Sequence, residues 1–128
     1  MAALILDASV LIGLLDAADS HHDSAVDEVE AADQAGTRLL TPASAYNEAL
    51  VSFARAGRLA DAREAIAAMG ISVEPLTAAI AELAAELRAG HQRLRPPDAI
   101  VLATARHLST RLLTYHDQLT RIAAKFSD

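Results

Sequence analysis

The sequence contains no cysteine, so disulfides, thiolate nucleophiles and zinc–thiolate sites are all excluded. Any metal must be held by oxygen or imidazole. Aromatic residues make up only 3% of the 128 positions, which leaves Ala, Leu, Ile and Val to build the core and favours closely packed helices. No apolar run approaches the length needed to span a membrane. The opening residues, MAALILD, lack a basic leader and their apolar run stops at Asp7, unlike a signal peptide. Repeats, low-complexity tracts and internal linkers are missing as well. The expectation is a single cytoplasmic domain over residues 1–128, with no membrane contact and one well-buried core.

A basic surplus is also lacking. The net charge is −6, which at first sight argues against a nucleic-acid partner. The acidic excess lies in the first half of the chain, however, and the second half is nearly balanced. Arg88, His91, Arg93 and Arg95 gather in one stretch, followed by Arg106, Arg111, Arg121 and Lys125. Such groups can serve a phosphate backbone, although for any one of them a solvated helix end is the plainer explanation.

What is present is a regular alternation. ALIL (residues 3–6) is a short continuous apolar run, as expected of a strand buried on both faces. The apolar helix VLIGLL follows and ends near Asp16. Ser20-His21-His22-Asp23 reads as a capping box with Ser20 as N-cap, opening a helix that runs to about Gly36. Thr37–Leu40 reads as a second strand, and Thr41-Pro42 as the first turn of the next helix, which carries Tyr46, Leu50 and Phe53 inward and stops near Gly57. Residues 59–69 form another helix, Ile71–Glu74 a third strand, and Leu76–Ala89 a helix with Ile80, Leu83, Ala84 and Leu87 as its stripe. A basic, proline-ended loop (91–97) leads to a helix over Asp98–Leu108. A fourth strand at Arg111–Thr114 precedes a last helical stretch at Leu119–Lys125. Strands alternating with helices indicate a three-layer α/β/α domain with a mostly parallel central sheet of four or five short strands.

Four carboxylates fall where strands end or helices begin: Asp7, Glu48, Asp98 and Asp117. In a parallel sheet such positions converge on one crevice at the strands' carboxyl edge. Each has a structural explanation. Asp7 is placed to cap the next helix, and Glu48 to be a solvated glutamate with Arg55 one heptad away. Asp98 suits the dipole of a helix start, and Asp117 is another possible cap. Four such coincidences at one sheet edge point further. Like charges without basic partners resist burial, and a cation offsets that cost. Carboxylates without thiolates select hard ions, Mg²⁺ or Mn²⁺. Such ions activate water and neutralise charge growing on a phosphoryl group, so phosphodiester cleavage is the chemistry indicated. One or two ions are both compatible with the pattern. Ser9 stands where its hydroxyl could hold Asp7.

At this point the chain resembles the PIN-domain ribonucleases and, within them, the VapC-type toxins of bacterial toxin–antitoxin pairs, over nearly its whole length. ALILDASVLIGLLD resembles the family's opening strand and first acidic motif, and Glu48 lies where the second acid is expected. PDAIVLATA resembles the third motif, and LLTYHD the last. HHDSA is also family-like, with its histidines read as structural or surface groups. The last motif departs from the usual Thr, any residue, Asp: here His116 holds that slot and Asp117 follows. Either residue can fill the fourth position, or Asp7, Glu48 and Asp98 form the working triad. The resemblance implies cleavage of single-stranded RNA leaving a 3′-hydroxyl and a 5′-phosphate, with Mg²⁺ or Mn²⁺ as cofactor. It also implies a homodimer and a VapB-like antitoxin that can reach the acidic pocket with a basic residue. Ser9 and Thr114 would be hydroxyls behind the carboxylates, with His116 beside them, and Arg93 and Arg95 would line the RNA path.

Rival readings are weaker. A haloacid-dehalogenase-type phosphatase needs a second Asp two residues after the first, where Ser9 stands. A metal-dependent adhesion module needs Asp-x-Ser-x-Ser, and Leu11 breaks it. A response-regulator receiver needs an acidic pair near the first strand and a lysine after a later one, and neither is here. The remaining rival is a catalytically weak PIN-like fold that acts as a partner-binding protein, which His116 keeps open.

Overall fold

Four short apolar segments become the four strands of one sheet in the computed structural model, which describes residues 2–127. The chain runs β1 (Ala3–Leu6), α1 (Ala8–Leu15), α2 (His22–Gln34), β2 (Arg38–Pro42), α3 (Ala43–Arg55), α4 (Leu59–Ala68) and β3 (Ile71–Glu74). It continues with α5 (Ala78–Gly90), α6 (Pro96–His107), β4 (Arg111–Leu113) and α7 (Asp117–Ala124), then a 3-10 turn at Lys125–Ser127. All strand pairs are parallel, in the order β3-β2-β1-β4.

Strand β1 is buried on both faces because it has neighbours on both edges and helices above and below. Its side chains alternate accordingly. Leu4 and Leu6 pack with Val10, Leu11, Val29 and Ile66 on one face, and Ile5 with Leu40, Ala45 and Val101 on the other. A further cluster of Ile80, Leu87, Leu102, Leu119 and Ile122 ties α5, α6 and α7 together. The result is the three-layer α/β/α arrangement, with four strands. No helix among the described residues is long and apolar enough to cross a membrane.

The strand order places the site. From β1 the chain moves to β2 on one side, then to β3, and reaches β4 on the other side of β1 only late. The order therefore reverses between β1 and β4, and a crevice opens outside their carboxyl ends. Asp7 directly follows β1 and Thr114 directly follows β4.

Several expected boundaries differ, among them the start of α7, which takes in Asp117 behind His116 as N-cap, and three differ for a clear local reason. Ser20 does not cap α2: the N-cap residue is His21, and no side chain caps it. Asp16 and Asp19 fold the preceding segment into tight turns, accepting hydrogen bonds from the amides of Ala18 (2.9 Å) and His21 (3.0 Å). Thr41 and Pro42 extend β2 instead of opening α3, with Pro42 in register with Glu74. A residue before proline is driven to extended backbone, and Thr41 gains a 2.8 Å hydrogen bond to the Leu6 carbonyl. Helix α6 begins at Pro96, two residues before Asp98, because proline suits a first helical turn; Asp98 remains within that turn.

Helices α1 and α2 approach closely at Gly13, where a Cβ would lie 3.2 Å from that of Ala25. Gly13→Leu is expected to destabilise the fold by about 1–3 kcal/mol through overpacking, read as a lower urea midpoint. An unchanged midpoint would show that this contact yields.

Candidate active site

Asp7 is only 4% exposed, yet its carboxylate has a full set of donors. Oδ1 accepts from the Ser9 hydroxyl at 2.6 Å and from the Val10 amide at 3.2 Å. Oδ2 accepts from the Thr114 hydroxyl across the β1–β4 boundary. The Val10 contact makes Asp7 the N-cap of α1, so the structural explanation of this residue holds alongside any functional one. Each hydroxyl is itself held by a backbone amide: Tyr115 N–H donates to Ser9 Oγ and His116 N–H to Thr114 Oγ1, both at 3.0 Å. Burial, the largest influence, pushes the Asp7 carboxyl above its ordinary range; the Ser9, Thr114 and Val10 hydrogen bonds pull it back, and nearby Asp98 adds to the rise.

Asp98 and Glu48 reach the same region from α6 and α3. The Ser44 hydroxyl on α3 donates to the Pro97 carbonyl at 3.2 Å, which docks one helix against the start of the other. Asp98 keeps a side-chain exposure of 8%, Glu48 of 35%. Between them lies a cation expected along the RNA path. Arg95 Nη2 donates to Glu48 Oε2 at 2.9 Å and Arg95 Nε to Asp98 Oδ2 at 3.3 Å. The acidic group thus has a basic partner after all. Glu48 finds it 47 residues away, not at Arg55. Both carboxylates hold the Arg95 guanidinium more firmly charged, Glu48 the more strongly.

The turn after β4 is anchored by a group of residues that spacing did not reveal. Tyr115 donates its hydroxyl to Glu28 Oε2 at 2.7 Å and stacks on His21 with ring centroids 4.3 Å apart. Burial and the Glu28 contact raise the Tyr115 phenol well above its ordinary value. His22 is structural, its Nδ1 lying 2.7 Å from the Gly13 carbonyl. In a chain this poor in aromatics, a tyrosine inside TYHD was the available signal for Tyr115; nothing local marks Glu28. Arg93 is exposed, and no ion pair of the described residues includes it.

The structure therefore brings together Asp7, Ser9, Thr114 and Asp98, with Glu48 joined through Arg95. Asp117 is exposed in the first turn of α7, behind His116 as the N-cap residue. Among the hydrogen bonds and ion pairs of the described residues, none links Asp117 to the other three acids. Nor do any three Asp, Glu or His side chains among the described residues cluster closely enough to enclose an ion. The donors are nonetheless oxygen atoms of carboxylates and hydroxyls, the chemistry of a hard divalent cation, and Arg95 already supplies positive charge between two of them. By donor type the residues fit Mg²⁺ or Mn²⁺. Beside β4 a groove of about 530 Å³, lined by Arg106, Arg111, Thr120 and Phe126, shares Thr114 with the site.

The sequence matches the description of the PIN domain family over residues 4–125. No protein of curated function matches it. Among solved structures, VapC20 of Mycobacterium tuberculosis, described as a toxin that cleaves the sarcin–ricin loop, superposes with a TM-score of 0.76 at 18% identity, covering 94% of this chain and 95% of that one. A toxin–antitoxin complex from Klebsiella pneumoniae superposes with a TM-score of 0.73 at 23% identity, covering 91% and 88%. At such identities these likenesses speak for the fold.

A raised Asp7 pKa means that ionisation costs more in the folded chain than in the unfolded one. Stability is then greatest with Asp7 protonated and falls as pH rises from the ordinary carboxylate range through the raised value. Asp7→Asn keeps a capping oxygen and removes the buried charge. Its Tm at pH 7.5 is expected to equal or exceed that of the wild type, with the advantage shrinking toward pH 4. Equal losses at both pH values would show that the three hydrogen bonds outweigh the buried charge.

Proposed function

This chain belongs to the PIN domain family, and from that premise we propose that it is a metal-dependent endoribonuclease, the toxin of a VapBC-like toxin–antitoxin pair. The observation that carries the reading is the pair of buried carboxylates, Asp7 and Asp98, at the point where the sheet's strand order reverses. Two acids kept in a nearly dry crevice, with hydroxyls aimed at one of them, are costly for stability alone. Structural neighbours that include an RNA-cleaving toxin and a toxin–antitoxin complex favour RNA as substrate and an antitoxin as partner.

In this proposal Asp7, Glu48 and Asp98 hold Mg²⁺ or Mn²⁺, with Asp117 or His116 at a fourth position. When bound, the ion supplies an acidified water and neutralises charge at the scissile phosphate. The protein's own groups do the rest. Ser9 and Thr114 hold the Asp7 carboxylate in one orientation and favour its charged form. Burial around Asp7 and Asp98 limits bulk water. Arg93, Arg95 and the basic groove beside β4 offer charges to the RNA backbone, and an acidic pocket of this kind also accepts an arginine from an antitoxin. The domain, proposed to act over its full 128 residues as a cytoplasmic homodimer, hydrolyses single-stranded RNA.

A second reading, a catalytically weak PIN-like fold that binds a partner, draws on one observation: no three acidic side chains of the described residues converge on a common point. RNA turnover separates the two. Purified protein with total cellular RNA and Mg²⁺ or Mn²⁺ is expected to give discrete cleavage that EDTA abolishes. Asp98→Asn should lower the rate by roughly a hundredfold or more while shifting Tm by only the small amount due to a lost helix-dipole contact. Cleavage that survives both EDTA and this substitution would remove the metal-nuclease reading. Comparing Asp117→Asn with His116→Ala in the same assay identifies the fourth group as the one whose loss costs more.

A further inference from the structure

We propose that Arg95 is a resident counter-ion that competes with the divalent cation for Glu48 and Asp98, so that loading of metal and release of the Arg95 head are one event. The inference rests on the metal-site reading above and adds to it a control on affinity.

One guanidinium uses two different N–H groups on two different helices' carboxylates, at 2.9 Å to Glu48 and 3.3 Å to Asp98. These are two of the carboxylates that would hold the ion, and Arg95 occupies one oxygen of each. The backbone that presents Arg95 is fixed: the residue is extended (φ −75°, ψ 151°) as the N-cap of α6, directly before Pro96 and Pro97. Only the side chain can move, and at 58% exposure it has open solvent to move into. The arginine's own end of both pairs is exposed and such pairs are weak, so a doubly charged ion can displace the arginine without unfolding anything. Because guanidinium stays protonated at any accessible pH, the competition persists wherever the carboxylates are charged, and its planar fork reaches both of them at once, which a lysine's ammonium does less well.

The arrangement also accounts for the open geometry of the acids. With Arg95 bridging Glu48 and Asp98, the charge that would drive these carboxylates apart is already partly offset. They need not close around an ion until one arrives. Metal affinity in the free protein is accordingly set below what the carboxylates alone would give.

The test is a Mn²⁺ titration of RNA-free protein, followed by the electron paramagnetic resonance of unbound ion at constant pH and ionic strength. R95A is expected to bind Mn²⁺ about threefold to tenfold more tightly than wild type, matching the loss of two weak competing ion pairs. Arg95→Lys, which keeps the charge but not the fork, should fall between them. R93A removes the same charge from two residues away and should leave the affinity near wild type, which separates local competition from net charge. Thermal melts supply a second readout: saturating Mn²⁺ should raise Tm more in R95A than in wild type. Equal or weaker Mn²⁺ binding by R95A, with wild type still binding, overturns the proposal and leaves the nuclease reading intact. Equal gains in R93A and R95A overturn it as well. No Mn²⁺ binding by any folded variant overturns both.

Discussion

A single carboxylate, that of Asp7, is held where water is scarce, and the contacts around it organise the rest of the site. It accepts from two hydroxyls and one helix amide. The hydroxyls accept in turn from the amides of Tyr115 and His116, so polarity runs from backbone to hydroxyl to carboxylate. In a chain of this kind each bond strengthens the next. The same contacts stitch the end of β1 to the turn after β4. Positioning and cohesion are thus supplied by one set of bonds, and it sits at the boundary where the strand order reverses.

Glu48 and Asp98 meet a different constraint. They arrive from two helices that a single Ser44–Pro97 contact helps to dock, and their charges repel. Arg95 resolves the repulsion locally and leaves the pair half open to solvent. A hydrophobic pair there would hold α3 and α6 more firmly. Retaining charged groups at a helix junction is the pattern expected where stability has yielded to chemistry.

Much of this was legible in the residues. The apolar tetrad ALIL and the Gly70 and Pro75 punctuation around ISVE place two strands within their observed bounds, and the strand–helix alternation leads directly to the layered sheet. Local rules failed where two of them competed. Thr41-Pro42 satisfies a helix start and also an extended pre-proline residue, and the carbonyl of Leu6 decided between them. Ser20 fits a capping pattern, but Asp16 and Asp19 had already turned the chain. At the site, Asp7 takes hydrogen bonds from Ser9 and Thr114, with Asp98 near enough to act on its charge. The partnership of Arg95 with Glu48 could not be read, because it joins positions 47 apart through tertiary packing of α3 on α6. Local sequence offered Arg55, and the fold supplied another.

The clasp of Tyr115 on His21 and Glu28 has an optical consequence. The chain has no tryptophan and two tyrosines, so above the weak phenylalanine bands its near-ultraviolet absorption and emission come from Tyr46 and Tyr115. Tyr115 follows Thr114 directly, and its phenol is stacked on an imidazole and bonded to a carboxylate, surroundings that drain an excited tyrosine. Any motion of the turn that carries Thr114 away from Asp7 also frees this ring. The protein therefore holds a native dye beside its acidic crevice, and a rearrangement of that turn would be visible as light without a label.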